Sequence, residues 1–158
     1  MNHELIRDNF NTLRVWKRKG SIAPHKPLLI LLAIKYLLNG KRWIEFKDLE
    51  KKLEKLLNDF SPESKFARPE YPFWRLQTDG IWEVHPKDFF EPNRSGDVSA
   101  KQLLQYKAYG GFKDYIANTF IKDSGFALEI AQQILDKYFE WQERQVLIEK
   151  FGWQAFIE

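Results

Sequence analysis

Pro24-His25-Lys26-Pro27-Leu28-Leu29-Ile30-Leu31-Leu32-Ala33-Ile34-Lys35-Tyr36-Leu37-Leu38-Asn39-Gly40 contains the longest apolar run of the chain, Leu28 to Ile34. Pro24 and Pro27 bracket a turn, and Pro27 suits the first position of a helix that runs to about Asn39, where Asn39-Gly40 stops it. A helix that is apolar on nearly all sides must be enclosed by others, so this one is expected at the centre of the fold. Upstream, Leu5, Phe10, Leu13 and Trp16 recur at helical spacing. They predict an amphipathic helix from Asn2 to about Lys19, closed by Gly20 after a basic last turn. Downstream, Trp43-Ile44-Glu45-Phe46 reads as a short strand. Lys47 to Phe60 then reads as a helix with Leu49, Leu53, Leu56, Leu57 and Phe60 inward and its lysines and glutamates outward.

Further along, Phe73 to Leu76 and Ile81 to Val84 alternate around Thr78-Asp79-Gly80, which predicts a β-hairpin on an Asp-Gly turn. A polar loop, Pro92 to Asp97, leads into a short helix through Leu104, and Gly110-Gly111 is expected to break the chain. Phe112 to Ile121 and Ala127 to Trp141 read as two more helices, with more helix before Phe151-Gly152-Trp153. The expectation is one domain over residues 1–158, mainly α with a small antiparallel β-hairpin. It is an α+β, winged-helix-like arrangement, and an arrangement of that kind does not by itself establish a function.

The chain has 158 residues, enough for one sizeable core, and 16% of them are aromatic, so it is globular and not disordered. It has no cysteine, which excludes disulfides and thiolate metal sites. The N-terminal sequence has no signal layout, and the apolar run is too short to span a bilayer, so a soluble protein of the cytoplasm, away from membranes, is expected. The net charge of +3 decides little, but its distribution is uneven. No acid occurs from Asn9 through Ile44, a stretch holding Arg14, Lys17, Arg18, Lys19, Lys26, Lys35, Lys41 and Arg42. From Asp123 onward acids outnumber bases. One end of the sequence therefore suits phosphate.

Motifs for catalysis are weak. His3, His25 and His85 do not pair at ligand spacing, and Glu50-Lys51-Lys52 belongs to a charged helical face where pairing along the helix explains it. No phosphate-cradling glycine loop is present. The chain reads as non-catalytic, with no cofactor and no metal.

Two stretches carry more information. Ala23-Pro24-His25-Lys26-Pro27-Leu28-Leu29 holds His25-Lys26 stiffly at a helix start, where either His25 merely caps the helix or Lys26 and the helix N-terminus together present positive potential to a phosphate. Tyr71-Pro72-Phe73-Trp74-Arg75 sets aromatics beside the expected hairpin, either as core or as an apolar rim next to basic groups.

Together these stretches resemble the sulfur-binding domain of the type IV restriction enzymes that recognise phosphorothioate-modified DNA. The resemblance covers roughly residues 14–112, including the Ser-Gly-Asp loop and Gly110-Gly111-Phe112. It implies an apolar cup for sulfur made by His25, Lys26, Tyr71 and Pro72. The family position four after the tyrosine also lines the cup and can be small. Here it is Arg75, whose aliphatic stem would have to do the packing. The resemblance further implies phosphorothioate-modified double-stranded DNA as partner. It also implies a separate histidine-asparagine-histidine (HNH) nuclease domain elsewhere in a longer protein, of which this chain would be the N-terminal part.

Arg14, Lys17, Arg18 and Lys65 are expected to hold the DNA backbone. In the 92–101 loop Arg94 and Lys101, assisted by Asn93 or Ser95, are candidates for reading base edges, unless the segment is an ordinary polar connector. Two other classes remain open. One is a winged-helix-like regulator reading unmodified DNA. The other is a protein-interaction module using Trp141, Phe151 and Trp153.

Overall fold

The computed structural model describes residues 3–15, 17–18, 21–60 and 68–157. In chain order the elements are α1 (His3–Asn11), β1 (Lys17–Arg18), β2 (Ser21–Ile22), α2 (His25–Leu38), β3 (Ile44–Glu45), α3 (Phe46–Phe60), α4 (Glu70–Arg75), a 3₁₀ turn (Leu76–Asp79), β4 (Trp82–His85), α5 (Ala100–Gln105), β5 (Tyr109–Phe112), α6 (Asp114–Lys122), α7 (Ser124–Tyr138) and α8 (Trp141–Phe151). The molecule is mainly helical with small antiparallel sheets, as the patterning predicts.

α2 is the central helix. Every residue from Pro27 to Ile34 is buried, and α2 touches α3, α4, α6 and α7. Full burial of a leucine or isoleucine side chain stabilises by about 1.5–3 kcal/mol, so this one helix organises much of the core. It begins two residues earlier than the proline pattern predicts. Pro24 is its N-cap and the Leu28 N–H donates to Pro24 O at 2.9 Å. Pro27 thus occupies the third helical position, where its missing N–H leaves no carbonyl unpaired.

The expected first helix is shorter than its periodicity suggests. α1 ends at Asn11, and the Thr12 hydroxyl donates back to Asp8 O at 3.1 Å. The Arg14 N–H donates to the Asp79 carboxylate at 2.7 Å, a long-range bond that pulls the backbone out of the helix. Beyond it, β1 and β2 pair antiparallel, with Lys17 opposite Ile22 and Arg18 opposite Ser21.

The predicted hairpin at residues 73–84 is not formed. Its first arm is α4, followed by the 3₁₀ turn, and only the second arm is a strand. Phe73 and Leu76 are both fully buried while Arg75 is exposed, which is the i, i+3 spacing of a helix. Four residues are too few to separate that spacing from alternation. Pro69, the N-cap, and Pro72, in the first turn, are tolerated because no intrahelical N–H is needed there. Gly80 ends the turn at φ 77°, a left-handed position that suits glycine, so Asp-Gly terminates a helix here.

The main sheet is assembled from distant strands in the order β3-β5-β4, all antiparallel, with Ile44 opposite Gly110 and Val84 also opposite Gly110. Gly110-Gly111, expected to break the chain, instead lies in the central strand. A Cβ on Gly110 would lie 2.7 Å from Trp82 and 3.0 Å from Phe73, and one on Gly111 would lie 2.8 Å from the Arg42 backbone oxygen. The two glycines let the aromatic core close over the sheet. Ring contacts run from Phe46 to Phe73 (5.0 Å), Trp82 (5.9 Å) and Phe112 (5.5 Å), and the Trp82 indole N–H donates to Phe73 O at 2.9 Å. This packing fixes α4 against the sheet and so aims the residues on its other side.

Candidate nucleic-acid interface

Three segments meet at a cleft of about 500 Å³: the chain after α1, the start of α2, and α4. Its lining is Arg14, Val15, Ala23, His25, Lys26, Tyr71, Pro72 and Arg75. All five residues expected at the sulfur cup are therefore brought together, although 45 residues or more separate the two motifs. The walls are of two kinds. Val15, Ala23, Pro72 and the Tyr71 ring are apolar, and Arg14 and Arg75 are cationic.

The junction is held by Asp79. Lys26 Nζ donates to Asp79 Oδ2 at 2.6 Å and to Arg14 O at 2.8 Å, while Asp79 Oδ1 accepts the Arg14 N–H. The Asp79 side chain is 1% exposed and that of Lys26 is 11% exposed. The Lys26 ammonium is thus engaged inside the protein, and its stem borders the cleft. The positive charge expected of Lys26 falls instead to Arg14 and Arg75.

Arg75 does more than lend an aliphatic stem. Its Nε and Nη2 donate to the two oxygens of Asp97 at 2.7 and 2.6 Å, a two-pronged pair, and its guanidinium carbon lies 4.3 Å from the Tyr71 ring centroid. The Asp97 hydrogen bond holds Arg75 further into its charged form, and the same bond keeps the Asp97 carboxyl below its usual range. Arg68 lies over the Tyr71 ring at 5.7 Å and pairs with Glu70 at 3.8 Å. Burial, and then the nearby Arg75 charge, push His25 below the ordinary histidine value, so it is neutral at pH 7. His25 therefore serves as a neutral wall of the cleft.

Of the 92–101 segment, residues 92–99 form a loop braced by hydrogen bonds, and Lys101 lies in the first turn of α5. The Asn93 side-chain oxygen accepts the backbone N–H groups of Ser95 and Asp97 at 2.9 and 3.0 Å, and the Asn93 N–H donates to Asp97 O. Trp74 in α4 donates its indole N–H to Gly96 O at 2.9 Å. With Arg75 on Asp97, these bonds moor the loop beside the cleft. Asn93 is engaged in shaping the turn, whereas Arg94, Ser95 and Lys101 are exposed.

The remaining expected residues are more scattered. Lys17 and Arg18 lie on β1 and not on a helix shared with Arg14. Lys65 lies outside the described residues. Phe151 and Trp153, offered for an interaction surface, stack at 4.9 Å within the core, and only Trp141 of that trio is exposed. Among the described residues no group of three or more histidines and carboxylates could hold a metal ion, and no helix is long and apolar enough to cross a membrane. The patterning missed Val15, Ala23, Asp79 and Asp97. A buried acid inside the otherwise polar turns 77–80 and 93–97 carries no local signal, because its partner is remote in sequence.

The fold has counterparts among solved structures. The sulfur-binding domain of ScoMcrA, solved with phosphorothioated DNA, superposes with a TM-score of 0.84 at 19% identity, over 96% of this chain and 98% of that one. The sulfur-binding domain of SprMcrA, also solved with phosphorothioated DNA, gives 0.78 at 15% identity over 98% and 96%. The type IV phosphorothioation-dependent restriction endonuclease ScoMcrA gives 0.79 at 18% identity, and the matched region there is 32% of its length. No curated protein matches the sequence. The family model of the ScoMcrA-like DNA sulfur-binding domain matches residues 3–156, well beyond the 14–112 span of the motifs, and this chain belongs to that family.

Proposed function

We propose that this chain binds double-stranded DNA carrying a backbone phosphorothioate and acts as the recognition module of a type IV restriction system. The observation that carries this reading is the cleft in which Val15, Ala23, Pro72 and the Tyr71 ring face the same space as Arg14 and Arg75. Sulfur is larger, more polarizable and a poorer hydrogen-bond acceptor than the oxygen it replaces. Apolar walls suit it, and the adjacent guanidinium groups hold the remaining charged oxygen. Ordinary phosphate gains nothing from such walls.

In this reading the domain spans residues 1–158 and recognises the modification without cutting. Cleavage belongs to a nuclease domain, of HNH type, elsewhere in a longer cytoplasmic protein. Arg14, Lys17, Arg18 and Lys65 hold the backbone. His25, the Lys26 stem, Tyr71, Pro72 and Arg75 form the cup. Arg94 and Ser95, on the loop shaped by Asn93, and Lys101, in the first turn of α5, meet the flanking bases.

The test is titration of the purified chain against duplexes identical except for one stereodefined phosphorothioate, at one moderate salt concentration. Burial of a small apolar group is worth about 1–3 kcal/mol, so tightening of roughly tenfold is expected for one isomer. Equal and salt-sensitive binding of both duplexes favours a reader of unmodified sequence. Absence of binding to either favours a protein-interaction module.

A further inference from the structure

Resting on the phosphorothioate reading, we infer that Asp97 is a positioning residue that sets which phosphorothioate diastereomer the cleft accepts. A phosphorothioate places sulfur and oxygen on one phosphorus, and its two diastereomers exchange their positions relative to the strand. A cleft that sets apolar walls against a cation held in one place can tell those two positions apart. Here the cation is fixed. Of the five N–H groups of the Arg75 guanidinium, one on Nε and one on Nη2 are held by the Asp97 carboxylate, and the guanidinium carbon lies over the Tyr71 ring, 4.3 Å from its centroid. The Asp97 side chain is 9% exposed, so the anchor itself is shielded, whereas that of Arg75 is 47% exposed and keeps donors available. Oxygen must face Arg75 and sulfur must face Pro72 and Ala23. Only one diastereomer meets both demands without turning the strand.

Asp97 also lies within the braced loop. Its N–H donates to Asn93 Oδ1 and its carbonyl accepts the Asn93 N–H, so it is held in place independently of Arg75. An anchor fixed from behind can hold an arginine at a defined azimuth.

The experiment measures affinities of the wild type and of Asp97→Asn for three duplexes: unmodified, and carrying each isolated diastereomer at the same step. The wild type is expected to separate the isomers by roughly tenfold, the worth of one hydrogen bond to a charged group. In Asp97→Asn the ratio falls toward unity while binding of the unmodified duplex changes less than the preferred isomer does. Arg75→Lys keeps the charge but loses the two-pronged pair, so it must lose the ratio as well, and it decides the matter if Asp97→Asn does not fold. An isomer ratio unchanged in a folded variant overturns the inference alone. Equal weakening of all three duplexes also overturns it, because that is the signature of a merely structural role. A wild type that does not distinguish sulfur from oxygen overturns the phosphorothioate reading and this inference with it.

Discussion

The Lys26 ammonium lies 2.6 Å from the carboxylate of Asp79, 53 residues away in sequence, and the two side chains are 11% and 1% exposed. This pair ties the start of α2 to the 3₁₀ turn, and through Asp79 Oδ1 it also holds the Arg14 backbone. Removing one partner of a buried pair leaves the other charge without compensation. Lys26→Met is therefore expected to destabilise the protein by about 3–5 kcal/mol. Urea denaturation measures this, and a loss below about 1 kcal/mol, the median for exposed pairs, would mean that the pair is solvated in solution.

Tyr71→Ala removes an apolar wall of the cleft and the ring on which Arg75 rests. Preference for the modified duplex should fall by about 1–3 kcal/mol, while binding of the unmodified duplex changes less. Equal losses for both duplexes would move the sulfur contact elsewhere.

Arg14 is exposed at the rim of the same cleft, and its role at a phosphate is electrostatic. Arg14→Ala should weaken modified and unmodified duplexes alike. It should also reduce the slope of log K against log salt by about 0.9, the share of one phosphate contact. An unchanged slope removes Arg14 from the phosphate surface.

The folded-state value of His25 lies below its ordinary 6.5 because of burial first and Arg75 second. As pH falls through 6.5 the unfolded chain takes up the proton before the folded one does, so stability declines from there until the folded-state value is passed and then levels off. His25→Gln should remove this component of the decline in denaturant midpoints between pH 7 and 5. In NMR titration the His25 ring should have its midpoint below 6.5, moving up in Arg75→Gln. A midpoint at or above 6.5 would contradict the partly buried placement of His25.

At the sheet, Gly111→Ala would set a methyl 2.8 Å from a backbone oxygen of Arg42, which cannot rotate away. Gly110→Ala instead meets only side chains, those of Trp82 and Phe73. Both should lower stability by about 1–3 kcal/mol through overpacking, with Gly111→Ala the larger. Thermal melts of the two variants check the order, and a reversed order would mean that the Trp82–Phe73 packing is the stiffer neighbour.

Much of this molecule was determined by sequence alone, and the reason is length. α2, α3, α6 and α7 each run nine residues or more, long enough for a 3.6-residue apolar period to declare itself and for ends such as Asn39-Gly40 to be read. The proline-bearing motifs at residues 23–29 and 71–75 were legible for the same local reason, since proline restricts its own neighbourhood. The remaining features depend on partners far apart in sequence. Residues 73–76 became the end of α4 and the start of the 3₁₀ turn because Phe73 had to meet Phe46 and Trp82, and β5 became a central strand because its glycines let Trp82 and Arg42 approach. Lys26 turned inward because Asp79 was waiting there, and Arg75 took up the exposed charge because Asp97 holds it. A carboxylate in a polar turn looks the same in sequence whether it faces water or a buried cation. Only the folded chain, by removing water from Asp79 and Asp97, distinguishes the two.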